Sequence, residues 1–206
     1  MKKIMFNDKY GLTKAVLEEG KTQTRRIIQA NNLFNTDKIE DYIVFDNEIQ
    51  IIANNGESLI TIKSNYNIGE TVAIAQTYKE CGGFMEDGTP RWDYISCIVG
   101  GKNAGWSNKM FVKPELMPHQ ICITNVRIER LQDISDEDCL AEGIIKKWHT
   151  PAGRNYFYIP NVEVKSTKDV YNTPQEAYSV LIDKIGKKGD WDSNPYVFVY
   201  DFKLKK

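Results

Sequence analysis

The sequence predicts an α+β fold: a small mixed β-barrel flanked by short helices and carrying a long insertion. Three observations predict it. An apolar opening segment leads into a helix-period stretch closed by Gly20; alternating apolar runs fill residues 42–75; and two capped helical segments lie between two more alternating strands at 121–131 and 195–204. With 206 residues and 41% hydrophobic content the chain can bury a sizeable core, and the expectation is one domain over 1–206, with a variable insertion around 79–118 and an irregular excursion around 146–170.

The elements follow in order. Residues 4–6 read as a short strand, and Asp8 as the cap of a helix whose apolar positions Tyr10, Leu12, Ala15 and Val16 recur at helical spacing. Residues 42–45, 49–52 and 59–63 alternate between apolar and polar, and Asp46-Asn47 and Asn54-Asn55-Gly56 punctuate them as hairpin turns. Residues 71–75, small and β-branched, suit a strand buried on both faces. The Gly-, Trp- and charge-rich stretch 79–118 is the insertion. In 121–131, Ile121, Ile123, Val126, Ile128 and Leu131 are core candidates, while Arg127, Glu129 and Arg130 are expected at solvent positions. Ser135 then caps a short helix with acidic residues in its first turn, which stops at Gly143 with Glu142 at its end. Thr173-Pro174-Gln175-Glu176 opens a last helix with the stripe Ala177, Tyr178, Leu181, Ile182, Ile185, ending at Gly186.

Charge and cysteine usage narrow the function classes. Twenty-seven basic against 28 acidic residues leave a net charge of −1, so any contact with a polyanion has to be local. Cys81, Cys97, Cys122 and Cys139 form no CxxC pair, and His119 and His149 are the two histidines, which argues against a zinc site; no cofactor is expected. The opening apolar run is too short for a signal peptide and no stretch approaches the roughly 20 apolar residues of a membrane span. The expectation is a cytoplasmic protein with reduced thiols and no membrane contact.

Gly20-Lys21-Thr22-Gln23-Thr24-Arg25-Arg26 packs three cations and two hydroxyls into seven residues after the first helix. Such a turn suits an anionic or polar ligand, and equally a helix C-terminus whose carbonyls attract cations. Glu142 is a second candidate, because a carboxylate at a helix C-terminus opposes the local dipole unless a cation or ligand compensates it.

Three segments carry a resemblance: the Gly20 to Arg26 motif; Val126-Arg127-Ile128-Glu129-Arg130-Leu131-Gln132-Asp133-Ile134-Ser135 through Ala141-Glu142-Gly143; and Trp191-Asp192-Ser193-Asn194-Pro195-Tyr196-Val197-Phe198-Val199. With them the chain resembles the ASCH family, in particular its phage and prophage members, whose fold is similar to that of PUA domains of RNA-modifying enzymes. The resemblance implies an RNA, nucleotide or modified-nucleoside partner. One implied function is binding: Lys21, Arg25 and Arg26 against phosphate, Thr22, Gln23 and Thr24 on a base or sugar, and Gln76 and Tyr78 as further ligand contacts, Tyr78 or Trp106 stacking as exposed rings. The other is hydrolysis. Lys21, Thr24 and Glu142 occupy the positions of the lysine, threonine and glutamate used by bacterial acetylcytidine amidohydrolases, in which a lysine activates the threonine toward an amide carbonyl. The chain departs from its relatives at Ala75-Gln76-Thr77-Tyr78, where they commonly carry an Arg-Glu pair before Thr-Trp.

Overall fold

A computed structural model describes residues 1–28, 39–45, 48–53, 59–81, 104–149, 151 and 153–205, with side chains outside 29–61. The hairpin turns expected at Asp46-Asn47 and Asn54-Asn55-Gly56 lie outside the described residues, as do Trp92 and Cys97. By internal contacts the chain divides into two compact units, Met1–Phe6 with Thr71–Cys122 and Leu204–Lys206, and Asn7–Glu70 with Ile123–Lys203.

In the first unit β1 (Lys2–Ile4) runs parallel to β6 (Thr71–Ile74), and β6 pairs antiparallel with the start of β7 (Gln120–Arg130), Thr71 opposite Cys122. Flanked by a strand on each side, β6 buries Val72, Ala73 and Ile74 completely, as its small and β-branched sequence requires. Ala73 and Ala75 pack with Tyr78, Val112 and Met117. The insertion supplies a one-turn helix α2 (Tyr78–Cys81) and 3-10 turns over 104–116; Lys3 Nζ ties those turns to β1 by donating to the carbonyls of Met110 (2.6 Å) and Val112 (2.9 Å).

The second unit holds α1 (Leu12–Leu17), β2 (Gln23–Ile27), the antiparallel sheet β3 (Ile39–Phe45), β4 (Glu48–Ala53) and β5 (Leu59–Lys63), most of β7, α3 (Asp136–Ala141), the hairpin β8 (Ile145–His149) and β9 (Arg154–Tyr158), α4 (Pro174–Ile185) and most of β10 (Tyr196–Lys205). Its core includes Leu12, Val16, Ile123, Leu131, Ile134, Cys139, Ala177, Tyr178, Leu181, Val197 and Val199. Strands of mixed direction with few helices make the fold α+β: β1 is parallel to β6 in the first unit, and β10 is antiparallel to β2 in the second.

Local signals set several boundaries. Ser135 Oγ accepts the amide of Asp138 (3.1 Å), and Thr173 and Glu176 form the expected capping box. Two ends differ from expectation. Asp8 does not cap α1; Gly11 does, at φ 64°, and the Asp8 carboxylate instead accepts from the Thr13 hydroxyl. The left-handed residue after α1 is Glu19 at φ 59°, with the amides of Gly20 and Lys21 both returning to the Ala15 carbonyl. The excursion expected around 146–170 contains the β8–β9 hairpin, an alternation that the aromatic and cationic residues of 145–158 had obscured.

Candidate functional site

The basic heptapeptide is not a turn cupped around a ligand. Its second half is strand β2, paired antiparallel with β10, Gln23 opposite Asp201 and Thr24 opposite Tyr200. The amide of Thr22 donates to the Ala141 carbonyl (2.9 Å) and the amide of Phe202 to the Thr22 carbonyl (2.8 Å), so the end of α3 and strand β10 fix the entry to β2. Period-two alternation then divides the motif: Lys21, Gln23 and Arg25 face one side, Thr22, Thr24 and Arg26 the other.

The first side meets Glu142. Lys21 and Glu142, 121 residues apart, are 2% and 5% exposed, and Lys21 Nζ donates to the Glu142 carboxylate at 2.5 Å and to its main-chain carbonyl at 2.7 Å. One ammonium thereby compensates both the carboxylate and the Glu142 carbonyl that follows α3, resolving the dipole conflict noted in the sequence. Gly143, at φ 103°, closes α3 against the Lys21 side chain; a Cβ there would sit 3.5 Å from Lys21 Cβ, and the backbone conformation itself favours glycine.

Arg25 extends the pair into a network. Its guanidinium donates to Glu129 (2.9 and 2.5 Å), Asp138 (2.8 Å), Glu142 (3.3 Å) and the Gln23 side-chain oxygen. Gln23 Nε2 donates to Asp138 (3.0 Å) and Asp201 (2.6 Å). Arg127 reaches Asp138 (2.6 Å), Asp201 (2.8 Å) and Glu129 (3.2 Å). This corrects the expectation for Arg127 and Glu129, which project into the network instead of simply facing solvent, because β2 and α3 present opposite charges to them. Three cations and four carboxylates share the site, and it opens toward water at Arg127, Asp138 and Asp201, whose side chains are a quarter to a third exposed.

Electrostatics follow from burial and these partners. Desolvation pulls Lys21 below the ordinary lysine value, opposed by Glu142 and reinforced by Arg26 and Arg25. Burial works against the charge on Arg25 as well, but Glu142 and Glu129 outweigh it and raise its pKa. For Asp138 burial acts upward, and hydrogen bonds from Gln23 and Arg25 with the Arg25 and Arg127 charges leave it below the usual carboxylate range. Tyr178 is pushed well above the ordinary tyrosine value, first by burial and then by Glu142. Its ring lies 6.0 Å from the Arg25 guanidinium, and its buried hydroxyl has no hydrogen-bond partner among the described residues.

The other sequence candidates fall elsewhere. Thr24 is buried on the opposite face of β2, the side of its cross-strand neighbour Tyr200, so Lys21 and Glu142 converge without it. Arg26, half-buried on that same face, acts electrostatically on Tyr66 and Tyr200. Thr22 is exposed. Gln76 and Tyr78 belong to the first unit. Tyr78 is fully buried, with its hydroxyl accepting the Lys113 amide at 2.8 Å, which corrects the expectation of an exposed stacking ring; it packs against Gly105, where a Cβ would approach its ring to 2.5 Å. Glu129, Asp138, Arg127, Asp201 and Tyr178 were missed as site residues. For Arg127 and Glu129 the usable signal was parity: two apart in β7 they share a face, as Gln23 and Arg25 do in β2.

No family model, no curated protein and no solved structure matches the chain. Among the described residues no group of histidines, cysteines and carboxylates is arranged to hold a metal ion, and no helix is long and apolar enough to cross a membrane.

Proposed function

We propose that this chain is an ASCH-like domain of PUA-like, barrel-type fold that recognises a nucleobase, in a modified nucleoside or in RNA, at the network centred on Arg25. One observation carries the reading: two of the motif's three cations, Lys21 and Arg25, are already neutralised, and with Arg127 beside them they are bound by Glu129, Asp138, Glu142 and Asp201. A phosphate brought to this face meets one carboxylate more than there are cations. A neutral base edge fits better, its amino groups donating to spare lone pairs of Asp138 and Asp201 and its carbonyl accepting from Arg127. Five mixed strands with short flanking helices support the PUA-like part of the reading.

Calorimetric titration with cytidine, acetylcytidine and cytidine 5′-monophosphate tests it. A nucleoside is expected to bind at least as tightly as its monophosphate, and Arg127→Gln to weaken it roughly tenfold or more, the loss of one charged hydrogen bond. A monophosphate preference of tenfold or more, or no nucleoside binding, contradicts the reading.

A second reading, hydrolysis of an acylated nucleoside, is favoured by the buried Lys21–Glu142 contact and the lowered lysine pKa. Neutral Lys21 takes a proton from water, the hydroxide adds to the acetyl carbonyl, and the tetrahedral adduct expels the base's amino nitrogen, which recovers the proton. Acetate and the free nucleoside leave. With Thr24 on the other face of β2, water and not the Thr24 hydroxyl is the nucleophile in this reading.

A further inference from the structure

We propose that the β8–β9 hairpin is a docking surface for single-stranded nucleic acid. Residues 145–158 contain Lys146, Lys147 and Arg154 and no acidic residue, in a chain whose net charge is −1. Every residue of β8 is exposed, Trp148 by 58%, although a tryptophan left in water gains nothing from burial.

The register gathers these residues onto the two faces of the ribbon. Lys147 lies opposite Tyr156 and His149 opposite Arg154, which puts the four on one face of the ribbon. His149 meets the Tyr156 ring edge-on at 5.5 Å; the Arg154 guanidinium sits 5.0 Å from the same ring, and its Nε donates to the Tyr156 hydroxyl at 3.0 Å. Lys146 and Trp148 project from the other face. The ribbon has a firm base, because Phe157 is buried and exchanges two main-chain hydrogen bonds of 3.0 Å with Tyr171.

Cations on both faces suit a backbone of phosphates, and flat rings set among them suit unstacked bases, which present a π-face whatever their sequence. A membrane surface fits less well, since it calls for apolar residues gathered on one side, and here rings and charges alternate on both. The hairpin supplies the phosphate and stacking contacts that the Arg25 network lacks, so it extends the nucleoside reading without depending on it.

The test is fluorescence anisotropy of the full chain with labelled twelve-nucleotide oligo(U) and oligo(dT) across a salt series, with anionic vesicles as a separate probe. Binding of either oligonucleotide is expected, with a log–log salt slope of about −2 for three phosphate contacts. Trp148→Ala with Tyr156→Ala is expected to weaken it at least tenfold, and K146E with K147E to abolish it at moderate salt. All four side chains are exposed or half-exposed, and an unchanged circular dichroism spectrum verifies that each variant is folded. The hairpin variants should leave cytidine affinity, measured by calorimetry, unchanged, which separates this surface from the nucleoside site. No oligonucleotide binding, binding indifferent to the hairpin variants, or hairpin-dependent binding of vesicles alone overturns the proposal.

Discussion

Glu142→Gln is expected to lower the unfolding free energy by about 3–5 kcal/mol at neutral pH, the range for breaking a buried ion pair from one side. The carboxylate is 5% exposed and is shared by Lys21 at 2.5 Å and Arg25 at 3.3 Å. Glutamine keeps the shape but leaves the buried ammonium facing a neutral amide. Arg25 suffers less, because Glu129 and Asp138 still hold it. Urea denaturation of both proteins measures the difference; a loss below about 1 kcal/mol, the usual value of a solvated pair, would mean that the two charges are effectively in water.

Lys21→Met is the complementary case. Methionine fills a comparable volume without a charge, and Glu142 retains Arg25, so the stability cost is expected to be less than half that of Glu142→Gln. The effect on chemistry is the opposite. If the site hydrolyses acetylcytidine, acetate release is expected to fall about 10²–10⁴-fold, the usual contribution of a positioned general base. A methionine variant that is folded and fully active would remove Lys21 from the reaction. Because this substitution spares the fold, it separates chemistry from bracing in a way that Glu142→Gln cannot.

The sequence carried much of the secondary structure. Ser135, Thr173 and Gly143 mark helix ends through their own hydrogen bonds and backbone freedom, and the apolar runs at 42–45, 49–52, 59–63, 71–75 and 195–204 fall on β3 to β6 and β10. Lys21 and Glu142 were legible as candidates, from the ASCH-like motif and from a carboxylate placed against a helix dipole. The state of Arg25 was not. Its partners come from β7, α3 and the α3 C-terminus, more than 100 residues away, and charge composition does not say which cations will be neutralised. The basic motif therefore read as an anion site when the cations of its inner half are already paired with carboxylates. Thr24 was misread for a simpler reason: treating residues 20–26 as a loop discards the alternation that turns it away from Lys21. The one-turn α2 and the 3-10 turns depend on burial around Tyr78, for which the insertion's composition gives no period.

Whether Lys21 and Glu142 form a reactive pair or a passive brace is decided by the proton on Lys21, which a carbon- and nitrogen-detected NMR titration of the Lys21 side chain reads directly. Burial lowers its pKa in the folded protein, so the unfolded chain holds that proton more tightly, and the stability linked to this group rises with pH up to the ordinary lysine value of about 10.4. The expected result is a midpoint below that value, moving lower still in Glu142→Gln as the carboxylate's support is lost. A midpoint at or above the ordinary value would contradict it, leaving Lys21 a permanently charged strut with no proton to take.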